Sequence, residues 1–432
     1  MKTFGWDVVF VTDIAHVNTA LKNVSAKYVE TFQLEEKGFQ GSGEFGSWEI
    51  VPGGSGNLLQ LKIPLVSGTL QMPGSSKTLD VSGIAVLLTV SLQFLPDPAK
   101  PTSSHLVFHF KSVGDHTTTN TGEGVVSFNK VIAPPKSTLT LLQETVIGTA
   151  VATVLVQNAD KISFEFASIN PLEVANTKWL QPSKMAYAYA DVVGTGAQML
   201  AILCVNDSRD ITQLPRHIDP TLLASGPTAA LAVSEHVFLQ NVLIPGLAKS
   251  FNIPASSFTE GTIPGVGTEG VLLAKPFNLK SVSAAGETYT PSVNVLSAIV
   301  QDTHIALSLS GQCSMGMDIT MDFQASSTMG ISFSMTDKTF KFATVGQPVF
   351  HKQTHIPWYD HLLDLAGGIA EIILQITVAA ISSELGGGIA QLGSATAIVT
   401  YAPKVVGWLG RTGFTPTEGG LATSLYMRGN LT

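Results

Sequence analysis

The 432-residue chain carries a formal net charge of −8, and charged residues make up only 13% of it, about half the usual share of a soluble chain. Hydrophobic residues at 44% and a mean hydropathy of +0.28 exclude intrinsic disorder, which needs low hydrophobicity and high charge. The acidic balance without a basic run argues against nucleic acid as a partner, and the length admits two or three domains or one elongated unit.

The N-terminus does not read as a signal peptide, because Asp7 and Asp13 interrupt the apolar region. Thr12 and Asp13 then supply an N-cap. Ile14, Val17, Leu21, Val24 and Tyr28 follow at alternating spacings of three and four, which predicts an amphipathic helix within residues 13–31. Leu59, Leu61, Ile63 and Leu65 alternate with Gln60, Lys62 and Pro64 on the opposite face. Ile84, Val86, Leu88, Val90, Leu92 and Phe94 alternate in the same way. Such alternation predicts strands of a half-buried antiparallel sheet. Residues 106–111 and 125–131 read as further strands. Residues 140–157 read as a helix diluted by Val and Thr.

Alternation returns at 162–166 and 185–189, and the continuous apolar run 199–205 suits a buried strand. The Pro-rich segment 207–227 is the best candidate for a boundary. It divides the chain into expected halves 1–210 and 211–432. Ser234 opens a short helix that runs into Pro245. Strands follow at 293–300, 304–309, 317–323 and 330–335. Pro357 precedes a long helix expected over residues 359–385, with Leu362, Leu365, Ile369, Ile372, Ile373, Ile376, Ala380 and Ile381 on its apolar face. A strand-like tail, 421–431, closes the chain.

The most apolar stretch, 362–399, is broken by Asp364, Glu371, Glu384 and Gly386-Gly387-Gly388, so no transmembrane span is expected. Cys204 and Cys313 sit in apolar runs and read as buried free thiols. Gly-x-Gly-x-x-Gly occurs at Gly41, Gly43, Gly46 and at Gly265, Gly267, Gly270. Neither copy joins a strand to a helix, as dinucleotide binding requires. Two histidine groups, His105, His109, His116 and His351, His355, His361, lack a fixed helical ligand spacing. No metal and no cofactor are expected.

Several segments carry a resemblance. They are Thr3-Phe4-Gly5-Trp6-Asp7-Val8-Val9 with Val17-Asn18-Thr19-Ala20-Leu21, the run from Gly46 to Gly56 with Trp48-Glu49-Ile50-Val51-Pro52, Ile162-Ser163-Phe164-Glu165-Phe166-Ala167, the run from Ser234 to Pro245, and Trp358 with the helix after it. Over nearly the whole chain they resemble the forty-seven-kilodalton protein family of OrfX-type botulinum neurotoxin gene clusters. That family is similar to the tubular lipid-binding (TULIP) superfamily. The resemblance implies an elongated α+β fold, with long helices wrapped by strongly curved antiparallel β-sheets that often leave an apolar tunnel.

On this reading Ile14, Val17, Leu21, Val24, Ile369, Ile372, Ile373 and Ile376 contact lipid if the tunnel is open, and are plain core if it is closed. The expected function is a non-enzymatic lipid-binding accessory factor to a protein toxin encoded beside it. Its partners would be lipid or phospholipid and toxin-cluster proteins. It would be cytoplasmic at synthesis and released with the toxin. The alternative is a scaffold that binds a partner protein through its sheet surface, without lipid; a hydrolase with dispersed residues is the weaker third reading.

Overall fold

The computed structural model describes every residue except 24–26, 37, 73, 115–121, 136, 171–177, 193, 195, 224, 225, 285, 317, 356–397 and 412. The chain opens on a tight turn. Phe4 and Gly5 both take left-handed backbone, with φ of 52° and 89°, and the Trp6 N–H donates to the Thr3 carbonyl at 3.0 Å. Two successive positive φ values are the mark of a type I′ turn, and glycine enters that region without steric cost. The turn sends the Trp6 indole inward, where its Nε1 donates to the Pro215 carbonyl at 2.9 Å.

Strand Val8–Asp13 comes next and pairs antiparallel on both sides, with Gln198–Val205 and with Ala229–Val233. Beyond Gln198–Val205 lies Lys184–Asp191. Beyond Ala229–Val233 come Ser424–Leu431, Phe414–Ala422, Ile319–Ser334, His304–Gly316, Ser292–Gln301, Glu269–Leu273 and Phe258–Thr262. Phe277–Asn278 and Thr339–His355 flank this path, which makes a 13-stranded antiparallel sheet.

A second, 11-stranded sheet runs Thr31–Glu36, Phe39–Phe45, Leu58–Gln71, Ala85–Pro96, Ser104–His109, Glu165–Ile169 and Val406–Trp408, with shorter strands alongside. The two sheets meet where the Tyr189 N–H donates to the Gly56 carbonyl at 2.7 Å.

The strands at the centre of the first sheet are buried on both faces. Val8, Phe10, Leu200, Ile202 and Cys204 face the main core. Val9, Val11, Met199, Ala201, Leu203 and Val205 face a second, smaller one. This is why 199–205 reads as an unbroken apolar run. The segment after it, with its prolines, is the lid of the second core: Ile218 and Leu222 are buried in it.

Polar side chains fasten that lid. Arg209 Nη2 donates to Asp7 Oδ1 at 2.6 Å and Nη1 to Asp7 Oδ2 at 3.1 Å. The Asn206 N–H adds a bond to Oδ2 at 2.8 Å. From the other end of the chain, Arg428 Nε donates to the Leu222 carbonyl at 3.0 Å, and Nη1 holds Glu418 Oε1 at 2.9 Å.

Most expected strands are present, often longer than their alternation suggested. The strands expected at 317–323 and 330–335 fall on one strand, Ile319–Ser334. The tail is a hairpin whose turn residue, Thr423, has φ 67°. Ser234 does cap its helix, accepting from the Val237 N–H at 3.3 Å. The helix then passes Pro245 through a π-helical turn, Leu239–Leu243, and continues to Phe251. A widened turn of this kind spares Pro245 the hydrogen bond it cannot donate.

The expected α+β architecture of long helices wrapped by curved sheets is corrected. Strands dominate the described residues. The first helix is Ile14–Asn23, ten residues, and the chain is already in strand again at Thr31. Tyr28, assigned to the helical stripe, instead stacks on Trp48 at 4.8 Å between ring centroids. The second expected long helix, 359–385, lies outside the described residues. The longest described helix, Leu141–Gln157, lies mid-chain. Short-range periodicity overstated the first helix because a stripe of apolar residues suits any segment that alternates between core and surface.

Asp7→Ala should cost about 3 kcal/mol, since it leaves the Asn206 N–H without its acceptor and strips the Arg209 guanidinium of its buried carboxylate, leaving it only Asp207 and the Gly5 carbonyl. Thermal melting checks this. Arg209→Lys should also melt early, because an ammonium cannot make the two-pronged contact.

Candidate functional site

Helix Leu141–Gln157 builds the site. Thr140 caps it: its Oγ1 accepts from the Gln143 N–H at 3.3 Å, while Gln143 Oε1 accepts from the Thr140 N–H at 2.8 Å. This reciprocal box satisfies two backbone donors at the helix start. The helix is apolar nearly all round, and such a helix needs cover on more than one side. On one side it packs on Ala85–Pro96, Ser112–Val113 and Val125–Ile132. The approach is close at Gly148, where an added Cβ would lie 2.0 Å from Phe128 Cδ2.

On another side it touches strand Thr31–Glu36. Between the helix and the hairpin Thr31–Glu36/Phe39–Phe45 lies a slot of about 430 Å³, within the usual range for a small-molecule site. Leu34, Phe39, Val113, Ala150 and Val156 supply apolar wall. Thr149 and Thr153 line it too, but their hydroxyls are spent on the carbonyls one turn back, at 2.7 and 2.8 Å. Polarity gathers where Gln157 Nε2 donates to Glu36 Oε2. The slot is therefore apolar along its length and polar at one end.

Three of the residues expected to contact lipid are described, and they lie away from the slot. Ile14, Val17 and Leu21 are fully buried in the main core. Their helix is docked by Asn18, whose side-chain amide exchanges two hydrogen bonds of 2.8 Å with the backbone of Ile50. A cavity of about 230 Å³ beside this helix is lined by its other face, His16, Thr19, Ala20 and Asn23. Val24, Ile369, Ile372, Ile373 and Ile376 lie outside the described residues.

The sequence reading missed the slot because it looked for amphipathic stripes. The available signal was the opposite one, a middle helix with no polar face.

The other motifs find structural explanations. Gly41 and Gly43 sit inside a strand, where a Cβ would meet Leu70 Cδ2 at 2.3 Å and Phe32 Cε1 at 2.9 Å. Gly265 and Gly267 hold left-handed turn positions, with φ of 80° and 75°. Cys204 and Cys313 are buried free thiols. Among the described residues no group of three His, Cys, Asp or Glu side chains converges as a metal site would need.

His355 Nε2 lies 2.9 Å from Asp322 Oδ2 across neighbouring strands. His116 and His361 lie outside the described residues. His105 sits between two carboxylates, with Nδ1 2.9 Å from Glu165 Oε2 and Nε2 3.4 Å from Asp97 Oδ2. Burial opposes its charged form, but the contacts with Glu165 and Asp97 outweigh burial and raise its pKa.

Fold and slot together define a β-rich protein of two large antiparallel sheets with one helix roofing an apolar cleft. The chain belongs to the OrfX-like family, described as Protein OrfX2/OrfX3/P47, whose model matches residues 3–408. Protein P47 of Clostridium botulinum (strain Kyoto / Type A2) is 25% identical over 370 residues, which cover 82% of this chain and 84% of that protein. Protein OrfX3 of the same strain is 23% identical over 388 residues, covering 82% and 78%. The structure of P47 from Clostridium botulinum A2 superposes with a TM-score of 0.79 at 23% identity, over 100% of this chain and 98% of that one. The crystal structure of P47 of Clostridium botulinum E1 gives 0.80 at 21% identity, over 99% and 100%. At these identities the structural likeness shows the fold. Among the described residues no helix is long and apolar enough to cross a membrane.

Gly148→Ala sets two effects against each other. Helix propensity gains about 1 kcal/mol, while overpacking costs about 1–3 kcal/mol. The contact with the Phe128 ring is too close for propensity to win, so the melting temperature should fall, and adding Phe128→Leu should restore part of it.

For His105 a raised folded-state pKa means that its stabilisation is complete below about pH 6.5. It is lost as pH rises through the folded value. Melting temperatures between about pH 6 and 8 should therefore fall more steeply for the wild type than for His105→Gln.

Proposed function

We propose that the protein is a non-enzymatic accessory factor to a protein toxin encoded beside it, and that it holds a lipid acyl chain in the slot under helix Leu141–Gln157. Membership of the OrfX-like family supports the accessory role, together with the sequence resemblance to proteins of OrfX-type botulinum neurotoxin gene clusters. The observation that carries the lipid reading is the slot, with its apolar wall and a polar end at Glu36 and Gln157. An acyl chain gains roughly 0.8 kcal/mol for each methylene it buries, and the polar end gives the head group somewhere to remain hydrated.

A second reading is a scaffold that meets a partner protein through its sheet surface. It is favoured by Val295, Val345 and Val349, each more than half exposed on strands Ser292–Gln301 and Thr339–His355.

The test is titration of a fluorescent fatty acid into the purified chain and into Thr153→Trp. Thr153 is partly exposed on the slot wall, so the indole should fill the slot while the melting temperature stays near that of the wild type. Saturable uptake by the wild type, weakened at least about tenfold in the variant (roughly 1.4 kcal/mol), is the expected result. No uptake by the wild type, or equal uptake by both, would sink the lipid reading and leave the scaffold.

A further inference from the structure

The outer face of the sheet that forms one slot wall has a different character. Register aligns its side chains into three ranks across neighbouring strands. The first is Glu35, Gln40, Gln71 and Thr78. The second is Gln33, Ser42, Thr69 and Asp80. The third is Thr31, Glu44 and Ser67. The ranks between them, which carry Phe32, Leu34 and Leu70, face the core. A shallow trough of about 620 Å³ runs over the first two ranks.

Its chemistry is narrow. Amides and hydroxyls dominate the lining, and among the described residues Glu35 is its one charged residue. Among the described residues Gln33, Gln40, Ser42, Thr69 and Thr78 spend no side-chain hydrogen bond within the protein. Their donors and acceptors are open to a ligand.

Exposed sheet near an edge usually carries lysine against unwanted pairing, yet none occurs in the three ranks. Glu35 together with the flanking Glu44 and Asp80 repels phosphate and other anions. These acids stand in different ranks, and ranks on one sheet face are about 7 Å apart, too far to share one cation. The exposed lining is more polar than apolar, and Leu34, its one large apolar residue among those described, is turned to the core.

We propose that this trough binds a neutral glycan, with the amides and hydroxyls of Gln33, Gln40, Ser42, Thr69 and Thr78 bonding its hydroxyl groups and the Glu35 carboxylate accepting from one more. The trough and the acyl slot lie on opposite faces of one sheet, so they can be occupied independently.

The experiment is saturation-transfer NMR and calorimetry on the full chain with five neutral probes: maltotriose, cellotriose, mannotriose, chitotriose and a galactotriose. Two variants accompany it. Ser42→Trp fills the trough at an exposed strand position, where an aromatic residue suits the sheet, and thermal melting confirms its fold. Thr153→Trp fills the slot on the other face. At least one probe should bind the wild type and Thr153→Trp alike, and should bind Ser42→Trp at least about tenfold more weakly. Should no probe bind at about millimolar concentration, or should a folded Ser42→Trp bind as well as the wild type, the trough is a solvated face and the proposal fails. Because Thr153→Trp reports on the slot alone, failure here is separable from failure of the lipid reading.

Discussion

Burial of strand Val8–Asp13 on both faces is the constraint from which the rest of the structure follows. A strand with one wet face needs one core, and this one needs two. The main core is supplied by the helices and the second sheet. The smaller core must be closed by the segment after Val205, whose regular structure among the described residues is one 3-10 turn, Pro220–Leu222. Loops rarely hold a hydrophobic surface down without help, and here the help is ionic. Asp7 is 4% exposed and takes three hydrogen bonds from Arg209 and Asn206. Buried pairs of this kind offset a desolvation cost before they add stability. Their use here is to fix where the lid lies, with Arg428 fixing its far end.

That arrangement gives the conspicuous opening of the chain a structural meaning. Thr3-Phe4-Gly5-Trp6-Asp7 is a turn, a buried anchor and an acid that receives an arginine. Each depends on the one before it: without the left-handed Gly5 neither the indole nor the carboxylate would reach its partner. Trp48 belongs to a comparable knot, stacked on Tyr28 and 5.9 Å from Phe108 between ring centroids. These two segments that resemble the family are thus fasteners of the fold. They identify the chain without locating its chemistry.

The slot and the trough arise from a shared sheet with two unlike faces. One face meets a helix that packs tightly on its far side through Gly148 and Phe128 and touches the hairpin on its near side only in part, which leaves the slot. The other face meets water with amides and hydroxyls. Strand pleating alone generates the difference, because successive side chains point to opposite faces. A one-residue slip in Phe39–Phe45 would exchange the two sets and abolish both surfaces.

What the sequence determined by itself was local. Alternation over 84–94, the apolar run at 199–205, Thr140 as a helix start and Ser234 as another all depend on neighbours a few residues away, so periodicity and capping rules reached them. Strand Val8–Asp13 escaped because its apolar run, Val8–Val11, is short and ends in Thr12 and Asp13, which read as a helix cap. The length of the first helix was misjudged because Tyr28 serves the core from outside it. The role of 207–223 escaped because proline and polar residues look the same in a linker and in a lid. Which faces meet, where Asp7 finds Arg209 two hundred residues later, and which gap stays open beside Leu141–Gln157 were decided by tertiary structure alone. Contacts between distant segments depend on register and on sheet order, and neither is written in any stretch short enough to be read as a pattern.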